Sequence, residues 1–398
     1  MHGGSASEVA RAFLKLGLTS FGGPVAHLGY FREEFVRRRA WLSDAAFADI
    51  VALCQFLPGP ASSQTAMALG HMRAGPLGAL AAWAGFTAPS ALLMILFAFA
   101  LLARTPVLNG PVAVAVVHGL KLVAVPIVAQ ALCAMARALC PDLRTAAVAV
   151  LCGLAAALAP GGLTQLGVIA SGALAGVAFL RGADAHGPRP ATRNGAAAVF
   201  LAAFAALLVV LPLARGFSPL LDLADAMYRA GALVFGGGHV VLPLLREAVV
   251  TPGWLSDATF LAGYGAAQAV PGPLFSFAAF VGTLVRQPPL GLAGGIVALV
   301  MIFLPGALLL FGAWPFWQRL QADPRARGAL RGANAAVVGL LAAALYSPVG
   351  VTAITQWTDA AIAVAGFALL AWRRIAPWIV VLVTVLASVA AALPAILR

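Results

Sequence analysis

The chain has 398 residues, 62% hydrophobic and 10% charged, with a mean hydropathy of +0.97 and a formal net charge of +12. One soluble core could not bury that much apolar surface, and the many apolar runs approach the length needed to cross a bilayer, so the chain is a polytopic integral membrane protein. The positive balance is no sign of nucleic acid: it lies in short loops such as FREEFVRRRAW, RGADAHGPRPATR and QRLQADPRARGALR, where it fixes orientation and lowers the cost of bringing an anion close.

The start, MHGGSASEVARAFLKLGLTSFGG, is amphipathic and lacks the pattern of a cleavable signal peptide, so the first helix is expected to stay. Cys54, Cys133, Cys140 and Cys152 show no C-x-x-C spacing and are expected to be free thiols. A first break, Phe21-Gly22-Gly23-Pro24, precedes the basic loop; a second, Pro58-Gly59-Pro60, interrupts the apolar run CQFLPGPASSQTAMALG. Both recur. WLSDAAF at Trp41 returns as WLSDATF at Trp254, 213 residues on, and the same offset carries LPGP onto VPGP at Pro271-Gly272-Pro273. SFGGPVAHL faces VFGGGHVVL, and HGLKLVAVPIVAQAL at His118 faces RGANAAVVGLLAAAL at Arg331. The expected domains are a repeat over 1–180, a linker and connecting transmembrane helix over 181–221, and a second repeat over 222–398.

The loop before the first WLSD carries Arg32, Arg37, Arg38 and Arg39, against Arg246 alone in the second; further on, Arg104 stands against Arg319, Arg325, Arg327 and Arg331. Matching loops therefore lie on opposite sides, which defines an all-α fold of two homologous halves in an inverted-topology repeat. Residues 31–40 and 104–111 must be separated by an odd number of crossings, yet two apolar stretches intervene. The Pro-Gly-Pro stretch is the one that turns back, because proline ends a helix and glycine permits a sharp reversal. Re-entrant hairpins are thus expected at Pro58-Gly59-Pro60 and its counterpart. Crossings are expected near 76–103, 112–136, 145–159, 163–180, 196–214, 290–317, 329–346, 358–371 and 376–397. The N terminus is expected inside and the C terminus outside.

SFGGPVAHLGYFREEFV, WLSDAAFADIVALCQFLPGPASSQTAMALGHMRAGPLGAL and GLKLVAVPIVAQAL, followed by FGGGHVVLPLL, AQAVPGPLFSFAAFVGTL and GANAAVVGLLAAALYSPV, resemble the two domains of the chromate ion transporter family over nearly the whole chain. The resemblance implies a multi-pass protein of the bacterial inner membrane that exports chromate, coupled to the proton motive force, and so confers chromate resistance. Transport of sulfate or another tetrahedral oxyanion, and a passive anion channel, remain as alternatives.

Independent of that resemblance, half-helices starting after the breaks aim backbone N–H groups and positive dipole ends at the bilayer centre, where they could hold a dianion. The candidate site comprises Gly22, Gly23, Gln55, Pro58, Gly59, Pro60, Ser62 and Ser63 in one half, and Gly236, Gly237, Gln268, Pro271, Gly272 and Pro273 in the other. Ser62 and Ser63 either touch the anion or cap the freed backbone; Gln55 and Gln268 are kept by the repeat three residues before each Pro-Gly-Pro. Lys121 stands alone inside a crossing with Asn334 at the matching position, and a buried cation suggests function over snorkelling. Lys15 and Arg229 are matched cations near the FGG breaks, facing either the site from opposite sides or lipid headgroups. His118, His27 and His239 are packing histidines or proton carriers, and Asp49 is polar lining. No G-x-S-x-G or H-E-x-x-H occurs, so neither an enzyme nor a metal or other cofactor is expected. Expected partners are a chromate or sulfate anion and the lipid bilayer, with a homodimer left open.

Overall fold

The computed structural model describes residues 4–21, 23–103, 110–159, 162–180, 195–235, 241–285, 289–371 and 375–396. Gly22, Arg104, Gly236, Gly237 and His239 lie outside them. The described secondary structure is helical throughout. In the first half it runs α1 (Ala6–Thr19), α2 (Gly23–Phe31), a π segment (Arg32–Arg38), α3 (Asp44–Phe56), α4 (Ala61–Leu102), α5 (Pro111–Leu139), α6 (Leu143–Leu158) and α7 (Gly162–Phe179). After a connecting helix α8 (Gly195–Leu213) come α9 (Pro219–Ala232), α10 (Val241–Val249), α11 (Asp257–Ala269), a 3₁₀ turn (Leu274–Ser276), α12 (Phe277–Leu284) and α13 (Gly291–Ala313). The chain ends with α14 (Trp317–Ala322), α15 (Pro324–Ala344), α16 (Val351–Ala353), α17 (Trp357–Ala371) and α18 (Pro377–Ile396). Every expected crossing coincides with one of these apolar helices, five of them long enough to span by themselves.

The Pro-Gly-Pro segments are hairpin tips. Beyond the first, Cys54 and Leu53 of α3 pack in one cluster with Ala66 and Met67 of α4, and the Arg73 guanidinium lies 5.3 Å from the ring centre of Trp41. The arm that left the surface at Trp41 has therefore come back to it. At Ala74 and Gly75, whose backbones are non-helical, the chain reverses again: a Cβ on Gly70 would stand 2.2 Å from the Gly78 carbonyl oxygen. The length of α4 thus holds a returning arm and a true crossing packed side by side. The second half repeats this with α11 and α12, where Phe260 and Phe277 meet edge to face at 5.1 Å and Gly282 abuts Gly294.

The halves exchange hairpins. α15 packs against α6 and α7 of the first half, and its counterpart α5 packs against α17 and α18 of the second. Small residues allow the close approach: Gly328 and Gly332 meet Gly176 and Gly172, and Gly339 meets Gly153. The start of α15 is tied to the N-cap of α6 by Arg331 and Asp142, 2.8 Å apart. The start of α5 is tied to the first turn of α17 by His118 and Asp359, 2.9 Å apart. Equivalent helices therefore run antiparallel, as an inverted repeat requires.

Candidate oxyanion site

Each tip is seated on the opposite half. Gly59 has φ +122° and Gly272 φ +100°, values open to glycine and strained for other residues. The Gly59 N–H donates to the Val234 carbonyl at 2.7 Å, and the Gly272 N–H donates to the Ser20 carbonyl at 2.9 Å. Ser20 and Val234 occupy the same repeat position, directly before the Phe-Gly-Gly breaks. The same crossing-over holds for the helices behind. A Cβ on Gly59 would lie 2.9 Å from Gly306 Cα, and one on Gly272 2.9 Å from Ser90 Oγ; Ser90 and Gly306 each follow the proline inside α4 and α13. Each tip thus meets the broken helix and the proline-bearing crossing of the opposite half.

The first tip is held from within by Gln64, whose Nε2 donates to the carbonyls of Pro58 at 3.1 Å and Gly306 at 3.0 Å. Pro60 is the N-cap of α4, so the first-turn N–H groups of Ala61, Ser62 and Ser63 have no helical acceptors. Ser62 and Ser63 are buried. At the second tip Pro273 opens the 3₁₀ turn, and α12 begins only at Phe277. Around these tips several buried polar atoms have no partner among the described residues: Ser20 Oγ, Ser63 Oγ, Thr87 Oγ1, Gln268 Nε2 and both ring nitrogens of His27. His27 is 1% exposed, its ring edge-on to Phe86 at 5.2 Å. Buried donors without partners are costly unless a ligand or water meets them.

The flanking cations differ. Arg229 and Arg215 both pair with Asp225, which is fully buried, the Arg229 contact being 3.0 Å. They line a cavity of about 700 Å³ that runs from Glu247, Thr251 and Trp254 to Ala230 and Leu233, next to Val234. Gln165 at the start of α7 forms another wall. In the first half, Trp378, the counterpart of Gln165, packs on Phe21 at 5.9 Å. There ion pairs bridge the surface among the described residues: Arg73 pairs with Glu8 at 3.1 Å, Arg39 with Glu34 at 2.7 Å, and Arg38 with Glu34 at 2.6 Å. Arg39 and Arg73 lie 5.8 and 5.3 Å from the Trp41 ring centre. Burial works against ionisation of Glu34, but the Arg39 hydrogen bond and the charges of Arg38, Arg39 and Lys15 hold it below its ordinary value.

The sequence-selected residues thus divide. Pro58, Gly59, Pro60, Ser62, Ser63, Gln268, Pro271, Gly272 and Pro273 belong to the two tips and their arms, Gly23 starts α2 with φ +78°, and Arg229 lines the cavity. Lys15 and Gln55 are exposed, and Lys121 is half-exposed on α5. Asn334 is buried on α15, its Oδ1 without a partner among the described residues. Asp49 is exposed. Sequence reasoning missed Thr87, Ser90, Gly306 and the Arg215–Asp225 pair. The matched Pro89-Ser90 and Pro305-Gly306 dipeptides, 216 rather than 213 residues apart, were the available signal.

Paired broken helices, each seated against the opposite one of two inverted halves, with a cavity on one face and ion pairs bridging the other, define a membrane transporter. The chain belongs to the chromate transporter family, whose pattern matches residues 7–177 and 221–389. It is 31% identical over 352 residues to the chromate transport protein of Pseudomonas aeruginosa, covering 86% of this chain and 80% of that one. It is 29% identical to the chromate transport protein of Cupriavidus metallidurans, covering 85% and 81%. An uncharacterized transporter of Methanocaldococcus jannaschii is likewise similar at 29% identity, with 85% and 83% covered. No solved structure matches the chain.

Proposed function

We propose that the chain is a secondary transporter that exports chromate across the bacterial inner membrane, driven by the proton motive force. The relatives named as chromate transport proteins support the substrate. The observation that carries the reading is the reciprocal seating of the tips, Gly59 on Val234 and Gly272 on Ser20. It seats each tip and the half-helix that follows it against the opposite half, beside buried polar atoms without partners among the described residues, a setting suited to a tetrahedral dianion held by N–H and O–H groups. Gly22, Gly23, Gly236, Gly237 and the Pro-Gly-Pro residues supply backbone; Ser62, Ser63, Gln55, Gln268 and Asn334 supply polar side chains; Lys15, Lys121 and Arg229 supply charge along the way in. The cavity beside Arg229 and the ion-paired closure at Glu8 and Arg73 favour alternating access over a continuous pore, in which both faces would be open together.

The test is flux of radiolabelled chromate and sulfate in proteoliposomes under an imposed pH gradient. Uphill chromate movement that follows the gradient and is outcompeted weakly by sulfate is expected. Purely downhill flux would replace the transporter with a channel, and preference for sulfate would reassign the substrate.

A further inference from the structure

The two joints through which the halves exchange hairpins are made by charged pairs, and the pairs are not alike. His118 and Arg331 occupy the same repeat position, 213 residues apart. Arg331 holds Asp142 at 2.8 Å and the Leu180 carbonyl at 3.2 Å. His118 Nε2 holds Asp359 Oδ1 at 2.9 Å. Because α5 and α15 run antiparallel, these joints lie toward opposite faces of the membrane. An arginine keeps its proton at any physiological pH, whereas a histidine gains and loses one near neutrality.

Asp359 is 2% exposed, and its second oxygen already accepts from the Thr355 N–H at 2.9 Å, the Thr355 hydroxyl at 2.7 Å and the Gln356 N–H at 3.2 Å. A carboxylate so furnished with donors stays ionised, which leaves the change of charge to the imidazole. Its Nδ1 makes no hydrogen bond among the described residues, so a proton can bind there while Nε2 keeps its hold on Asp359. With the proton on, the pair is neutral overall; with it off, a buried negative charge is left against α5, a costly state that favours rearrangement of the joint.

Among the described residues, few other charges lie near this joint. Among the described residues α16 and α18 carry no ionisable group, and α17 carries only Asp359. α11 has Tyr264 and, at its start, Asp257, which is paired with Arg246. The arginines of α15 lie at the end that holds Asp142, and the π segment Leu345–Gly350 that follows α15 offers only the exposed Tyr346. On α5 itself Lys121 is one turn away without an ion pair among the described residues, and Arg137 lies near the far end. The joint also has a route to the anion site. Gly265 of α11 packs so tightly on α5 that a Cβ there would stand 1.9 Å from the Leu120 carbonyl oxygen, and α11 leads directly into the Gly272 tip.

We propose that His118, held by Asp359, is the proton-binding site that couples the proton gradient to anion movement, the titratable counterpart of the fixed Arg331–Asp142 joint. This rests on the proton-coupled reading above. The experiment compares wild type, His118→Arg, His118→Gln and Asp359→Asn in proteoliposomes loaded with chromate, measuring radiolabelled chromate exchange at equal pH and net flux under a pH gradient at clamped voltage. Wild-type net flux is expected to rise at least severalfold with the gradient. His118→Arg, which copies the other joint, should keep exchange yet lose that response, and His118→Gln carries the same test should the arginine variant fail to fold. Asp359→Asn should weaken both. Gradient-driven flux in His118→Arg or His118→Gln equal to wild type overturns the assignment while leaving proton coupling intact. A wild type indifferent to the gradient overturns the coupling itself.

Discussion

The amide of Gly59 donates to the carbonyl of Val234 at 2.7 Å, so the hairpin tip of one half is closed by the helix end of the other. The Gly272–Ser20 bond repeats the relationship in reverse. Neither tip has a complete hydrogen-bond inventory inside its own repeat, and half of the chain alone would leave a buried N–H and a buried carbonyl open at each.

Gly59→Val and Gly272→Val should therefore abolish transport with insertion preserved. The new side chain meets a φ it rarely adopts and a backbone or hydroxyl at 2.9 Å. Flux is expected to fall by roughly tenfold or more, since even ~1.4 kcal/mol of strain at the site corresponds to that factor. Normal flux in both variants at normal membrane yield would remove the tips from the site.

Asp225 sits fully buried between Arg215 and Arg229 beside the cavity. Asp225→Asn adds one unit of positive charge to the path, so the KM for chromate should drop by about fivefold, while Arg229→Gln should raise it by a similar factor. Opposite shifts in steady-state uptake curves are the signature; parallel shifts would place both residues in packing alone.

The ion-paired face depends on Glu34, whose folded-state pKa is lowered. A depressed carboxylate stabilises above its ordinary range and loses that contribution as pH falls through it. Thermal unfolding of detergent-solubilised protein should show wild type ahead of Glu34→Gln at pH 7, by on the order of 1 kcal/mol given the exposure of Arg38, with the gap narrowing as the pH falls below the ordinary carboxylate range through the lowered folded-state value. A gap independent of pH would contradict the assignment.

Sidedness can be read directly. In a cysteine-free background, Arg38→Cys and Trp357→Cys should react with an impermeant maleimide from opposite sides of the membrane, because the odd number of expected crossings between them places the basic π segment and the start of α17 on different faces. Both positions are exposed, Trp357 at 91%. Labelling from the same side would break the inverted repeat.

Much of this was legible along the chain. The 213-residue offset exposed the repeat, prolines flanking a glycine marked the turn-backs, and the arginine count pointed to the inversion of the halves, because each of these is written in consecutive residues. The polar side chains were harder. Gln55 and Gln268 occupy the same repeat position, yet Gln55 is exposed on α3, which packs mainly on its own half, while Gln268 is half-buried with Nε2 unpartnered, on a helix covered by α5 and α18. Lys15 and Arg229 match in sequence, but of the two only Arg229 forms an ion pair with a buried carboxylate and lines the cavity. The sequence alone determined which elements exist and where they break, since backbone geometry and membrane solvation act locally. Which hairpin covers which helix was decided by the tertiary structure: the exchange of α15 and α5 between halves, and the seating of Gly59 on Val234, join residues more than 150 positions apart through backbone atoms that every residue type shares.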